Sequence, residues 1–342
     1  MAHAPRNGPA DICADMCSWL MLEQAAALLP ELWNLLNATV AAVIPVGVKW
    51  EMLMFGSRAL EPEGGYGLPS SDFDVVAEVD QAIYQHMGPR RLIPLFHAHL
   101  RRDARVTGLR CITRNHTVTL KFSGVIVDFT VCLKPALSHH RPYMATNYMR
   151  AATDHVSSRR CADLMRLVVD WAKHKQICPR KRDGYVGNRL KACIWSLLVL
   201  AWWTYHVHHG GPDFHYPIEL GRMVYEVIRF YAIFPFETLA IAPIVGVAVV
   251  EEPFVLRPTE STESHPELVL VCDPIDLGRG EWSNLAGRID TPGFVKLVDT
   301  LRHGAAELGC DQLRDLYFRD ACWRWAAYQS DHSSYAVSFI NN

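Results

Sequence analysis

The 342-residue sequence lacks the features that mark secreted, membrane-spanning and zinc-bound small proteins. Its ten cysteines include no Cys-x-x-Cys pair, which argues against a zinc ribbon or a disulfide framework. The strongest apolar run, Cys193–Trp203, is too short to cross a bilayer, and residues 1–12 hold no apolar stretch of the signal-peptide kind. These absences predict an intracellular protein of the cytoplasm or nucleus, with reduced thiols and no membrane partner.

The sequence also lacks an excess of either charge. It has 34 Lys and Arg residues against 36 Asp and Glu residues, for a net charge of −2. Composition therefore gives no whole-molecule attraction for nucleic acid, and any polyanion site must be a local patch. Half of the residues are hydrophobic, and the length is comfortable for two globular domains.

The most informative stretch is 55–76, in which a Gly-Ser turn precedes two aspartates. Asp72 and Asp74 open an apolar strand, and residues two apart on a strand project from the same face. Two adjacent carboxylates repel each other unless a cation lies between them, and hard divalent ions take oxygen ligands. The turn of Gly56 and Ser57 offers a backbone N–H and a hydroxyl to phosphate oxygens. The alternative for so short a motif is a solvated turn whose aspartates cap backbone N–H groups.

A third aspartate, Asp128, lies in the run VIVDFTV, which is apolar on both faces and predicts a central strand. Val106–Thr113, Thr117–Phe122 and Val125–Cys132 are strand-like and joined by short turns, so we expect antiparallel neighbours. A carboxylate in a buried strand requires either an ion pair with Arg or Lys or a place in a metal site. The upstream aspartate pair favours the metal site.

The order of these parts resembles that of the polymerase-beta-type nucleotidyltransferases, whose pattern is a Gly-Ser turn, Asp-x-Asp on a strand and a later strand aspartate. Residues 61–66 look like a small insertion in that pattern. Downstream blocks are similar to the poly(A) polymerase and terminal uridylyltransferase branch, with oligoadenylate and cyclic-dinucleotide synthetases as cousins. The resemblance, over about 50–308, implies an α+β fold: a mixed sheet flanked by helices in 1–150, a mostly helical PAP-associated domain in 151–342, and the active site in the cleft between them.

The helical half carries the dense basic segment of the sequence, 173–191, with seven Lys and Arg residues against one acid. A helix over Ser158–Gln176 contains a Trp-Ala-Lys sequence that ends at Lys173 and resembles the family helix that supplies lysines to the triphosphate. Lys175 follows two residues later. The resemblance therefore implies that Lys173 and Lys175 bind the phosphates of a nucleoside triphosphate.

Two further blocks resemble the family's base-binding region. Where family members start a helix with Ser-Tyr, this chain has Gly-Asn-Arg, which leaves Tyr185, Asn188 and Arg189 as candidate nucleotide-binding residues. An Asp-Pro turn followed by Asn284 resembles the loop that brings an asparagine near the base. A plain Asp-Pro turn with a helix-capping asparagine is the alternative.

The remainder of the chain offers weaker signals. After Pro135 no strong strand pattern is visible until about residue 268, so we expect the intervening part to be helical or loop. Four histidines, at 206, 208, 209 and 215, lack cysteines at ligand spacing, and we interpret them as loop residues and not as a metal site.

The resemblance implies a template-independent nucleotidyltransferase that adds nucleoside monophosphates to RNA 3′ ends. Asp72, Asp74 and Asp128 would hold two Mg²⁺ or Mn²⁺ ions, and Asp128 would also help to deprotonate the acceptor hydroxyl. ATP is the expected nucleotide, because Ser283 precedes Asn284 where the uridine-adding branch has a histidine. Two alternatives remain open: a signalling enzyme that joins nucleotides into 2′–5′ chains or a cyclic product, and a non-catalytic binding module with the same fold.

Overall fold

The computed structural model describes a set of segments of the chain, with gaps between them. These segments are residues 28–57, 72–80, 83, 87, 89–112, 116–134, 141–155, 159–179, 188–208, 220–236, 239–243, 254–256, 268–277 and 283–309. They fall into two compact units, an amino-terminal unit that ends at Ser157 and a carboxy-terminal unit that begins at Ser158.

The amino-terminal unit contains a five-stranded mixed sheet with the order β1-β2-β5-β4-β3. Its elements are helix α1 (28–43), strands β1 (Trp50–Phe55) and β2 (Phe73–Val79), helix α2 (Pro89–Leu100), strands β3 (Val106–Ile112), β4 (Thr117–Phe122) and β5 (Val125–Leu133), and helix α3 (Arg141–His155). Strands β2 and β5 run parallel, and the other neighbours run antiparallel. The predicted mixed sheet is confirmed, and so is the central position of β5.

Chain connections explain this mixture of strand directions. Strands β4 and β5 are joined by Ser123 and Gly124, whose φ angles of 47° and 85° suit the tight turns of antiparallel hairpins. Strands β2 and β5 are separated in sequence by a helix and a hairpin, which gives the chain the length that a parallel pair needs. The beginnings of β2 and β5 consequently lie at the same end of the sheet.

One face of the sheet is buried against helices α1 and α2, in a core to which both helices contribute apolar side chains. On β4 the fully buried Val118 and Leu120 alternate with the half-buried Thr119, as the period of two requires. Phe96 of α2 meets Phe129 of β5 edge to face, with ring centroids 5.3 Å apart. Because aromatic burial of this kind contributes several kcal/mol (roughly 25 cal/mol per Å²), this face anchors the strands that carry the acidic residues on the opposite face.

The carboxy-terminal unit is mostly helical. Its elements are helices α4 (Arg159–His174), α5 (Ala192–His208) and α6 (Leu220–Ala232), strands β6 (Leu239–Ile241) and β7 (Phe254–Leu256), and helices α7 (Pro274–Leu277) and α8 (Thr291–Leu308). The fully buried Trp171 and Trp195 join α4 to α5 through an edge-to-face contact with centroids 6.4 Å apart. Tyr231 of α6 donates its hydroxyl to the carbonyl of Leu198 in α5, at 2.7 Å.

Helix α8 begins and packs through specific short contacts. Asp290 is its N-cap, because its Oδ1 accepts the backbone N–H of Gly293 at 2.8 Å. Further along, Gly304 lies against Trp171 of α4: a β-carbon at position 304 would overlap the indole Cζ2 and lie 3.1 Å from Cη2. The absence of a side chain at this position allows the helix backbone to approach the tryptophan ring.

The structure corrects two expectations for this half of the chain. Strands β6 and β7 pair antiparallel before residue 268, where the sequence analysis expected helix or loop. Each has only three residues, which is too short to show a strand period. His206 and His208 lie in helix α5 and not in a loop, and His206 Nδ1 lies 2.9 Å from the carbonyl of Trp202. No helix among the described segments has both the length and the apolar content that crossing a membrane requires.

Candidate active site

Three aspartates of the amino-terminal unit converge on the face of the sheet opposite the core that packs against α1 and α2. Asp74 is the second residue of β2, and Asp72 immediately precedes that strand. In the parallel pairing of β2 with β5, Asp74 lies directly beside Asp128. One carboxylate oxygen from each residue lies within 4.8 Å of those of the other two, and all three residues are half-buried. The structure thus brings together the three acidic residues that the sequence analysis selected.

The three aspartates lie close together because of the register in which β2 pairs with β5. Because β2 and β5 begin at the same end of the sheet, an aspartate near the start of each strand falls in the same row. Asp72 and Asp74 share a face because they are two residues apart on extended backbone. A shift of the register by one residue would turn Asp128 towards the apolar face, so the buried side of the sheet fixes the position of the acidic site.

The arrangement suits a hard divalent cation. Three carboxylates so close together repel one another and are costly to keep ionised unless positive charge lies among them. Carboxylate oxygens are the ligands that Mg²⁺ and Mn²⁺ prefer. The oxygen donors, their number and their mutual distances therefore fit a site for such ions.

Asp128 is held by a neighbouring strand. Thr119 of β4 lies directly opposite Asp128 in the antiparallel pairing, and its hydroxyl donates to Asp128 Oδ1 at 2.7 Å. A hydroxyl bonded to an ionised carboxylate forms a charge-assisted hydrogen bond, which is about twice as strong as a neutral one. Nothing in the sequence singled out Thr119, beyond its place on the polar face of a predicted strand.

The Gly-Ser turn abuts the second aspartate. Gly56 has a φ of 78°, and a β-carbon there would overlap Asp74 Oδ2 and lie 2.9 Å from Asp74 Cγ. Only glycine combines this backbone conformation with such proximity to a side chain. The Gly56 N–H donates to Thr146 Oγ1 at 2.7 Å, and the buried Thr146 hydroxyl in turn donates to the carbonyl of Pro142 at 2.9 Å. The turn is therefore tied to helix α3, and the half-buried Ser57 follows it.

Lys173 and Lys175, the two lysines predicted to bind phosphates, have different surroundings in the structure. Both are half-buried: Lys173 lies in the last turn of α4, and Lys175 follows the end of that helix at His174. Lys175 forms a salt bridge with Glu307 of α8. Burial raises the pKa of the nearby Cys178 thiol to about 12, and the positive charges of Lys173 and Arg189 act against this rise. Lys173 and Arg189 thus both act on the Cys178 thiol.

Of the other nucleotide-binding candidates, Tyr185 lies outside the described residues. Asn188 and Arg189 are half-buried and, with Lys296 and others, line a small cavity of about 50 Å³. The Oδ1 atom of Asn188 is buried and has no hydrogen-bond partner among the described residues. A cavity of this size holds one or two water molecules and is too small for a nucleobase.

Asn284 braces the loop in which it lies. Its Oδ1 accepts the backbone N–H groups of Val271 and Ala286, and its Nδ2 donates to the carbonyl of Val269, all at 2.9–3.0 Å. Ser283 donates its hydroxyl to the buried carboxylate of Asp276. The Asp-Pro motif forms a local turn as well, since Asp273 Oδ1 accepts the N–H of Ile275 at 2.9 Å. The Asp-Pro turn of the alternative is present, but the asparagine bonds to loop backbone and not to the start of a helix. Contact of Asn284 with a base stays a prediction.

The fold matches solved structures of terminal nucleotidyltransferases at low sequence identity. A structure of Cid1 poly(U) polymerase with MgGTP bound has a TM-score of 0.62 and 16% identity, over 89% of this chain and 98% of that one. The GLD-2/RNP-8 complex structure gives 0.59 and 14%, over 90% and 99%. A structure of mtPAP in complex with UTP gives 0.57 and 11%, over 81% and 62%. No protein-family model and no curated protein matches the sequence.

These neighbours are nucleotidyltransferases of the non-canonical poly(A) polymerase and terminal uridylyltransferase type. The family resemblance that the sequence motifs indicated is therefore confirmed at the level of the fold.

Proposed function

We propose that this protein is a metal-dependent nucleotidyltransferase that joins a nucleoside monophosphate from an NTP to the 3′ end of an RNA chain. The observation that carries the proposal is the cluster of Asp72, Asp74 and Asp128, whose oxygens lie within 4.8 Å of one another. The cluster lies beside a Gly-Ser turn, on a sheet with the fold of terminal nucleotidyltransferases. Three half-buried carboxylates in one place need a chemical reason, and metal binding for phosphoryl transfer supplies it.

The three aspartates are the residues that would hold two Mg²⁺ or Mn²⁺ ions. When bound, such ions stabilise the negative charge that develops on the attacking and leaving oxygens of a phosphoryl transfer. In addition, Asp128 is assigned to accept the proton of the RNA 3′-hydroxyl as that oxygen bonds to the α-phosphorus. The bond between the α-phosphorus and the oxygen bridging to the β-phosphate then breaks, and pyrophosphate leaves.

Gly56 and Ser57, the two residues of the turn, have different roles in the proposed site. Because the Gly56 N–H is engaged by Thr146, we assign Gly56 to positioning the turn and Asp74, not to binding phosphate through its own amide. Ser57, with a hydroxyl and a backbone N–H, is assigned to the outer phosphates of the NTP. Removing the Ser57 hydroxyl should therefore raise KM for the nucleotide and leave the KM for RNA unchanged.

In the carboxy-terminal unit we assign Lys173 to the phosphates, on the family resemblance and the local excess of positive charge. Lys175 has a structural partner in Glu307, so its contribution to the phosphates is the smaller of the two. Tyr185, Asn188 and Arg189 remain the candidates for the nucleotide by resemblance.

We also propose a preference for ATP over UTP. The Ser283 hydroxyl is engaged by Asp276, so the argument rests on the space that a small side chain leaves and not on a hydrogen bond to the base. Asn284, whose side chain is bonded to backbone groups, would act on base selection by holding this loop. A competition between ATP and UTP at equal concentrations, read as the ratio of kcat/KM, tests the preference. A ratio in favour of UTP would contradict it.

The experiment for the general activity is incubation of the full chain with Mg²⁺, one labelled NTP at a time and a short single-stranded RNA. Extension of the RNA by labelled nucleotides supports the proposal. Small labelled products without RNA extension would indicate a signalling enzyme that joins nucleotides to each other. Absence of any transfer with Mg²⁺ or Mn²⁺, from a protein that is shown to be folded, would indicate a non-catalytic binding module.

A further inference from the structure

Three adjacent strands place a threonine and two of the site's aspartates in one row. Thr119 of β4 lies opposite Asp128 of β5, and Asp128 lies beside Asp74 of β2. Side chains in register on neighbouring strands project from the same face and are about 5 Å apart. The Thr119 hydroxyl uses this position to donate to Asp128 Oδ1 at 2.7 Å.

This hydrogen bond restrains the side chain of Asp128, a candidate metal ligand, in addition to joining β4 to β5. Threonine has two heavy atoms on its β-carbon and few χ1 choices, so its hydroxyl is directed by the strand itself. A bond to one oxygen restrains the rotation of the Asp128 carboxylate, and an ionised carboxylate has about four acceptor positions, so this one bond does not use up its capacity to bind a cation. An ionised carboxylate, which is the form that a cation requires, accepts this hydrogen bond more strongly than the neutral acid does.

We propose that Thr119 is a positioning residue that orients Asp128 for metal binding. The inference rests on the proposed function, since it treats the aspartate cluster as a metal site. Hydrogen-bonding partners of metal ligands typically change metal affinity about 10- to 100-fold when they are removed. A threonine with a merely structural role on β4 would change the melting temperature and leave metal affinity unaltered.

The same strand supplies a matched control. Thr117 is on the same face of β4, two residues from Thr119, and its hydroxyl lies 2.9 Å from the hydroxyl of Thr130, a neutral partner. Thr117→Val therefore removes a hydroxyl from the same face of β4 whose bond to Thr130 joins two neutral groups. Thr119→Val keeps the shape of the side chain and loses the donor, and Thr119→Ser keeps the donor.

The test is a titration of the full chain with Mn²⁺ alone, in which free Mn²⁺ is read by electron paramagnetic resonance. We expect Thr119→Val to bind Mn²⁺ about 10-fold or more weakly than the wild type, and Thr119→Ser and Thr117→Val to stay within about threefold. Circular dichroism and a thermal melt establish that each variant is folded. In the RNA extension assay, Thr119→Val should lower kcat and leave KM for RNA unchanged.

The outcomes separate this inference from the proposed function. Equal Mn²⁺ affinity in folded Thr119→Val and wild type overturns the positioning role, while RNA extension by the wild type still supports the activity. A weaker Thr119→Val site in a protein that transfers no nucleotide supports the positioning role and overturns the activity. Absence of Mn²⁺ binding to the wild type overturns the positioning role, and the extension assay then decides the activity by itself.

Discussion

Replacement of Gly56 by alanine tests the geometry of the site most sharply among single substitutions. The backbone φ of 78° costs an L-residue about 1–2 kcal/mol. The new β-carbon would in addition overlap Asp74 Oδ2 and lie 2.9 Å from its Cγ, where unstrained carbon contacts need about 3.5–4.0 Å. The Asp74 carboxylate, or the turn with Ser57, therefore has to move by several tenths of an ångström or more.

The loss of activity follows from that displacement. A misplacement of about 1 Å in a catalytic group costs roughly 10²-fold in rate, which is about 2.7 kcal/mol of transition-state stabilisation. We expect Gly56→Ala to lower kcat/KM for RNA extension by about 10²-fold or more and to weaken Mn²⁺ binding. The melting temperature should fall only modestly, because the backbone strain is the sole cost to stability if the Asp74 carboxylate moves away.

Gly124→Ala is the matched control for this prediction. Gly124 has a φ of 85° in the β4–β5 turn, so the backbone strain is similar, but a β-carbon there would meet no atom within 4 Å. Both variants should lose similar stability, and only Gly56→Ala should lose activity. Equal activity of the two variants would refute the claim that the contact between the Gly56 turn and Asp74 shapes the site.

Three stability predictions concern the carboxy-terminal unit, each read from urea unfolding monitored by circular dichroism. Gly304→Ala should lower the free energy of unfolding by about 1–2 kcal/mol, because the overlap with Trp171 outweighs the roughly 1 kcal/mol that alanine gains in a helix. A more stable variant would show that α8 does not pack so closely against Trp171. Asp290→Ala should lower the free energy of unfolding by about 1 kcal/mol through loss of the α8 N-cap, and Asp290→Asn should retain most of that stability. An equal loss of stability in both variants would exclude a capping role. Tyr231→Phe should cost about 0.5–1.5 kcal/mol by removing the hydrogen bond to Leu198, and an unchanged stability would show that this bond makes no net contribution.

The sheet of the amino-terminal unit could be predicted because its signals are local. Strand β4 alternates, β5 is apolar on both faces, and the turn between them contains Ser123 and Gly124, both with positive φ. The short strands β6 and β7 could not be predicted, since three residues carry no measurable period. Helix α5 extends through His206 and His208, and the ring centroid of His206 lies 5.9 Å from that of Phe230 in α6. The sequence around these histidines does not show this contact, because Phe230 is far away along the chain.

The acidic site was predictable for a related reason. Asp72, Asp74 and Asp128 each interrupt or open an apolar strand, and an ionisable group in such a position stands out in the sequence. The residues that hold the site carry no such signal. Thr146 reaches Gly56 across 90 positions of sequence, and a threonine on a helix is too common to be selected.

Side-chain partners could not be predicted from motifs either. The salt bridge of Lys175 with Glu307 joins residues 132 positions apart, and no pattern near Lys175 in the sequence predicts this partner. Asn284 was selected by its distance from an Asp-Pro turn, but its contacts with Val269 and Val271 depend on how the loop closes. In both cases the motif selected a residue and left its partners open.

The central claim is that Asp72, Asp74 and Asp128 together hold the metal ions of a nucleotidyl transfer. The most direct measurement is single-turnover extension of a short labelled RNA with ATP and Mg²⁺ by the wild type and by Asp72→Asn, Asp74→Asn and Asp128→Asn. The account predicts extension by the wild type and a loss of at least about 10³-fold in rate in each variant, with thermal melts that show all four proteins folded. A wild-type rate in any one of the folded variants would contradict the assignment of that carboxylate, and with it the three-aspartate site.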